Sequence, residues 1–144
     1  MDFGTYIERL KGIDMQQVAV ECLKSNESFL LDANYDQLER GKTSKNEQIG
    51  KYENDDYAAE KYMMNPRAGF GNIDLIKEQD FKHGIFFKFT NDSLISDSTG
   101  KEKEGGTDLL HDYGDDVLGI FMTSDLKVDL QYDLIRLIKE KISL

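Results

Sequence analysis

The chain of 144 residues contains one cysteine, one proline, two histidines and no tryptophan. A single thiol, Cys22, excludes an internal disulfide, and there is no cysteine pair from which to build a zinc site. No apolar run approaches the roughly 18 residues needed to cross a bilayer. The opening stretch MDFGTYIERL lacks the positive-then-apolar order of a secretion signal. Cations are scarce as well: 18 Lys and Arg stand against 28 Asp and Glu, a net charge of −10. Proteins that grip nucleic acid through its phosphates need the opposite excess, because counterion release supplies most of that affinity. These shortages predict a soluble chain made in the cytoplasm, without membrane contact and without specific nucleic-acid binding.

What is present suffices for an ordered core. Apolar residues make up 39%, with eight Phe and seven Tyr, and the length fits a single domain over 1–144. Thr5-x-x-Glu8 reads as a capping box for a short helix closed by Gly12. Asp14 with Gln17 repeats that pattern, and Val18, Cys22, Phe29 and Ala33 continue at helical spacing. One amphipathic helix is therefore expected from about Met15 into the low thirties, extending as far as Leu38. Gly41–Gly50 is polar with a glycine at each end and predicts an exposed loop. Asp55 or Asp56 is expected to cap a helix over Tyr57–Met64, which Pro66 terminates.

The most hydrophobic landmark lies in Asn72–Phe89, NIDLIKEQDFKHGIFFKF. Ile73–Ile76 predicts a short strand, and Ile85, Phe87 and Phe89 alternate as the core face of a longer one. Asn91-Asp92 marks a tight turn and Leu94–Ser96 the return strand of a hairpin, followed by a charged, glycine-rich loop over Ser96–Thr107. Leu109–Tyr113 reads as a helical turn closed by Gly114, and Val117–Met122 as a strand with Gly119 inside it. Ser124 or Asp125 is expected to cap a last helix carrying Leu126, Leu130, Leu134, Leu137, Ile138 and Ile142 on one face. The sum is an α+β fold: a small antiparallel sheet of three to four strands with two long helices packed on one face.

Motifs for chemistry are few. His111-Asp112-Tyr113-Gly114-Asp115-Asp116 is the densest polar cluster, but its carboxylates do not follow the alternation of a calcium loop. Cys22 falls on an apolar helix face and reads as a buried thiol rather than a nucleophile. His83 sits in a polar turn beside Lys82, and Glu78 and Asp80 are two acids among 28. Gly41-Lys42-Thr43 is not a phosphate loop, because Asp36 stands where such a loop has its first glycine. No catalytic, cofactor or metal residue is assigned on this basis, and an enzyme is not expected.

Several segments together do carry a resemblance: Gln37-Leu38-Glu39-Arg40-Gly41, Ile49-Gly50-Lys51-Tyr52, Tyr57-Ala58-Ala59-Glu60-Lys61, Asp74-Leu75 through Phe81, the strand Ile85–Phe89, and Tyr113-Gly114. In this order they resemble the head–tail joining or tail-completion (neck) proteins of long-tailed phages and the related virion-morphogenesis proteins of Mu-like phages, especially a version from phages of Bacteroidetes. The similarity spans about residues 15–143 through short motifs, and Glu78-Gln79 stand where the family has Thr-Gly. The resemblance implies a structural virion protein, assembled in the host cytoplasm as a ring of copies that joins neighbouring neck, portal-adaptor or tail-tube proteins. DNA would pass through the lumen, and an acidic wall would let it slide. The alternative that composition supports is a small acidic interaction module: an inhibitor, an antitoxin or a DNA-mimicking anti-defence protein.

Overall fold

The computed structural model describes residues 1–75, 83–99 and 109–143. These residues divide into two compact units, each assembled from separated stretches of chain.

The first unit comprises Met1–Glu27, Phe89–Leu94 and Met122–Leu144. It holds helices α1 (Phe3–Lys11), α2 (Met15–Ser25) and α6 (Ser124–Ser143). The start of α1 is one residue cluster earlier than expected: Asp2, not Thr5, is the N-cap, its carboxylate accepting from the Thr5 amide at 2.8 Å. That bond holds the Asp2 carboxyl below its ordinary value. Asp14 caps α2 as expected, accepting from the Gln17 amide. In α6 the capping oxygen is Thr123 Oγ1, bonded to the Leu126 amide at 3.3 Å, rather than Ser124 or Asp125. The inner faces of α2 and α6 meet through buried Val18, Cys22 and Leu126, while Arg9 of α1 donates to the Ile142 carbonyl at 2.7 Å.

The second unit, Ser28–Lys88 with Ile95–Phe121, contains the rest. Its helices are α3 (Glu27–Glu39, apart from the first residue), α4 (Asp55–Met64) and α5 (Leu109–Tyr113). Strands β1 (Ile85–Phe89) and β2 (Leu94–Ser98) form a two-stranded antiparallel hairpin about Asn91-Asp92, whose tip Phe89–Leu94 belongs to the first unit, with the Thr90 amide bonded to the Ser93 carbonyl. That register sets Phe87 opposite Ser96 and Ile85 opposite Ser98. The buried apolar residues are Leu30, Leu38, Ala58, Ala68, Leu75, Ile85, Phe87, Leu109 and Val117. Phe89, expected in the core, is only half-buried.

The expected architecture of three to four strands under two long helices is wrong. The described residues hold six helices and two strands. The helix expected from Met15 into the thirties is two, because Asn26 leaves helical geometry and its side-chain amide donates to the Cys22 carbonyl and to Asp133. Of the strand expected over Ile73–Ile76, Ile76 lies outside the described residues; the rest is not strand, the one bridge nearby joining Lys51 and Asn72, after which Asp74 turns into a buried ion pair. The strand expected over Val117–Met122 begins as the end of a 3-10 turn (Asp115–Val117), and Gly119 follows at a φ of 89°. Its partner is a side chain. Gln37 of α3 donates to the Gly119 carbonyl at 3.1 Å and accepts from the Phe121 amide at 2.7 Å, so one amide stands in for a neighbouring strand. The cap of α4 is Asn54 rather than Asp55 or Asp56, and the helix starts two residues before the expected Tyr57.

Gly41–Gly50 was expected to be an exposed loop, yet Gly41 and Thr43 are buried. The reason is the C-terminus of α3. The Lys42 amide reaches back to the Gln37 carbonyl and the Gly41 amide to Leu38, a Schellman closure with Gly41 at φ 69°. A Cβ there would sit 2.8 Å from the Ile73 carbonyl oxygen. Gly41→Ala is expected to cost about 1–2 kcal/mol for the left-handed conformation alone, with the clash added. A denaturant midpoint unchanged by this substitution would contradict the closure. Of the Ser96–Thr107 loop, Ser96–Ser98 belongs to β2, and residues 100–107 lie outside the described residues, as do Glu78, Gln79, Asp80, Phe81 and Lys82.

Candidate functional site

The most concentrated buried chemistry lies in the second unit, between α4 and the segment that follows it. Ala58, Lys61 and Asn65 recur three and four residues apart, and all three are buried. This puts one ammonium on the inward face of a helix, with 3% of the residue exposed. Its Nζ lies 2.5 Å from Oδ1 of Asp74, itself 5% exposed. The other Asp74 oxygen accepts from Asn65 Nδ2 at 2.9 Å, and the same amide donates to the Glu39 carbonyl at 2.7 Å. Tyr52 closes the group by donating its hydroxyl to the Asp74 carbonyl at 3.4 Å. Its ring stands edge-on to Tyr57, with centroids 5.0 Å apart. Burial, then the Asp74 charge, pushes the Tyr52 phenol well above its ordinary value, so it remains a neutral donor.

On the outer side of this network Arg67 binds Asp36 and, at 2.7 Å, Glu39, while Arg40 joins Asp36 at 3.0 Å. Hydrogen bonding to Arg67 holds the Asp36 carboxyl below the usual range. These exposed pairs each add little stability, but they join the end of α3 to the 3-10 turn Pro66–Ala68. Chemically, Lys61 and Asp74 balance one another's charge and are enclosed on all sides. Such a pair ties a helix to a loop rather than meeting a substrate. Sequence reading missed it; the available signal was a lysine on the same helical face as Ala58.

Asn34, in the second half of α3, presents the reverse case. It is wholly buried and neither amide atom has a hydrogen-bond partner. A buried orphaned amide costs about 1–3 kcal/mol. Asn34→Leu, nearly isosteric, is therefore expected to raise the urea midpoint or leave it unchanged; a large loss would mean that the amide is bonded in solution.

The residues singled out for chemistry are dispersed. The side chain of His111 is almost fully exposed, its imidazole 3.7 Å from Asp112. Asp116 instead pairs with Lys45 at 3.1 Å. Among the described residues no three His, Cys, Asp or Glu side chains are grouped to hold a metal. His83 stands edge-on to Tyr35 at 6.5 Å. Cys22 is buried and its Sγ donates to the Leu130 carbonyl at 3.5 Å. Burial and the nearby Asp133 charge push its thiol up. Native protein is thus expected to resist an aromatic disulfide reagent at pH 8 and to react stoichiometrically once unfolded; fast native labelling would place the thiol at the surface.

The exposed surface of the first unit is the other concentration of features. Helix α1 buries none of its residues and exposes Phe3, Tyr6 and Leu10 along one face. Helix α6 exposes Val128, Tyr132 and Ile135 on the side away from Leu126 and Leu130. Solvated helices normally show charge at such positions, so two apolar stripes on one small unit point to contact surfaces. No helix among the described residues is long and apolar enough to cross a membrane. No protein-family model, no curated protein and no solved structure matches the chain.

Proposed function

We propose that the chain is a structural protein of a tailed-phage virion, part of the neck, head–tail connector or tail-completion ring through which DNA passes. The observation that carries this reading is the convergence of the segments on which the family resemblance rests. Gln37, Leu38 and Gly41 shape the end of α3; Tyr52 donates to the Asp74 carbonyl, and Lys61 neutralises the Asp74 carboxylate. Segments far apart in sequence thus contribute to one packed framework, as family-defining residues of a scaffold should. The exposed apolar stripes on α1 and α6 fit a protein whose work is done by contacts with neighbours. With a net charge of −10, a lumen lined by this chain would offer DNA no phosphate-binding sites.

Mass spectrometry of purified virions from a phage or prophage encoding the chain tests the reading. The chain is expected in intact particles, at a copy number that fits a ring. Its absence from particles that carry their portal and tail proteins would overturn the proposal.

A further inference from the structure

Lys61, Asp74 and Asn65 form more than a balanced charge. The Asp74 carboxylate bridges the other two: Oδ1 meets the Lys61 ammonium at 2.5 Å, and Oδ2 accepts from Asn65 Nδ2 at 2.9 Å. An amine and a carboxamide are thus held on the two oxygens of one acid. Lys61 and Asn65 are also four residues apart, neighbours on one face of α4 and its C-cap. All three residues are buried, and Asn65 is the most exposed of them at 8%. The carboxamide is itself fixed. Its Oδ1 accepts from the Arg67 amide at 3.2 Å, and Nδ2 donates a second bond to the Glu39 carbonyl at 2.7 Å.

The geometry points to a self-catalysed cross-link, in which the Lys61 amine condenses with the Asn65 carboxamide and Asp74 moves the protons. A proton passing along the 2.5 Å contact leaves Lys61 as the free amine, the nucleophilic form. Nζ attacks Cγ of Asn65, and the Arg67 amide stabilises the charge that develops on Oδ1. Asp74 returns its proton to Nδ2, the Cγ–Nδ2 bond breaks, and ammonia leaves. The second proton of the attacking nitrogen goes to Asp74. An isopeptide bond and a neutral Asp74 acid remain, so no buried charge is stranded. Proximity supplies the rate, and enclosure from water keeps hydrolysis from competing. Freshly folded protein holds the open triad, and the amide accumulates with time. Neither the triad nor its chemistry depends on the virion role proposed above.

Intact mass spectrometry of the purified chain, fresh and after days at growth temperature, tests this. The incubated protein is expected to be lighter by one ammonia. Trypsin should then fail to cut after Lys61 and yield the peptide Tyr52–Arg67 lacking one ammonia. A succinimide at another asparagine also loses ammonia, but it leaves Lys61 open to trypsin; finding only that overturns the inference. Lys61→Arg keeps the cation without a nucleophilic amine and should retain its encoded mass. Protein held in guanidinium chloride should retain it too, and an equal Lys61–Asn65 cross-link there would mean that the folded triad plays no part. An unchanged mass with Lys61 still cleaved overturns the inference, and loss of a water with Lys61 joined to Asp74 overturns the assignment of Asn65.

Discussion

Replacing Lys61 by methionine is expected to lower the unfolding free energy by about 3–5 kcal/mol, the usual cost of removing one partner of a buried ion pair. Methionine has nearly the same length and fills the same space, so cavity formation contributes little. What remains is the Asp74 carboxylate in a site where it is 5% exposed, with Asn65 and its other contacts but no cation. Against a total stability of about 5–15 kcal/mol for a domain, that loss is a fifth of the total or more. A double substitution, Lys61→Met with Asp74→Leu, should recover most of it, because an apolar pair of similar volume avoids the desolvation that the ion pair carries. Chemical denaturation of the three proteins measures both effects. A loss below about 1 kcal/mol for Lys61→Met, the range of exposed pairs, would mean that water reaches Asp74.

The second large effect is expected at Gln37. Leucine there would keep the apolar part of the side chain but strip the Gly119 carbonyl and the Phe121 amide of their partner. A buried orphaned backbone group costs about 1–3 kcal/mol; with Gly119 half-buried and Phe121 exposed, each of the two falls at the low end, and a total of about 2 kcal/mol is expected. Gln37→Glu separates the two bonds: a carboxylate still accepts from the Phe121 amide but repels the Gly119 carbonyl, and should be intermediate at neutral pH. Amide hydrogen exchange reports the bond itself. The Phe121 amide should be protected in the parent and exchange rapidly in Gln37→Leu, whereas equal protection in both would show that another group holds this segment. Asn34 lies three residues earlier on the same helix with the opposite expectation, so the two amides form an internal control.

Gln37 also explains why the sheet was misread. Val117–Met122 has the composition and length of a strand, and local pattern cannot reveal that the hydrogen-bond partner is one side chain 82 and 84 residues away. The hairpin was legible because its determinants are adjacent: alternation in Ile85–Phe89 and a turn at Asn91-Asp92. Asp14 was legible as a cap for the same reason. The break at Asn26 was not, since Cys22, Phe29 and Ala33 keep helical spacing across it and the bond from Asn26 to Asp133 is long-range. For the buried pair, nothing near Lys61 announces Asp74. Between them lie Pro66 and two glycines at positive φ, Gly69 and Gly71, which turn the chain back on α4. The apolar stripe of α6 that faces α2 was read from sequence, but the second stripe at Val128, Tyr132 and Ile135 was not, although its spacing of four and three is equally visible.

The proposed role in the virion neck is read at the level of the whole assembly. Cryo-electron microscopy of the neck of intact virions tests that most directly. Expected is a closed ring of copies of this chain around the DNA channel, with an acidic inner wall. A neck that contains no density for this chain, or a basic wall lining the channel, would contradict it.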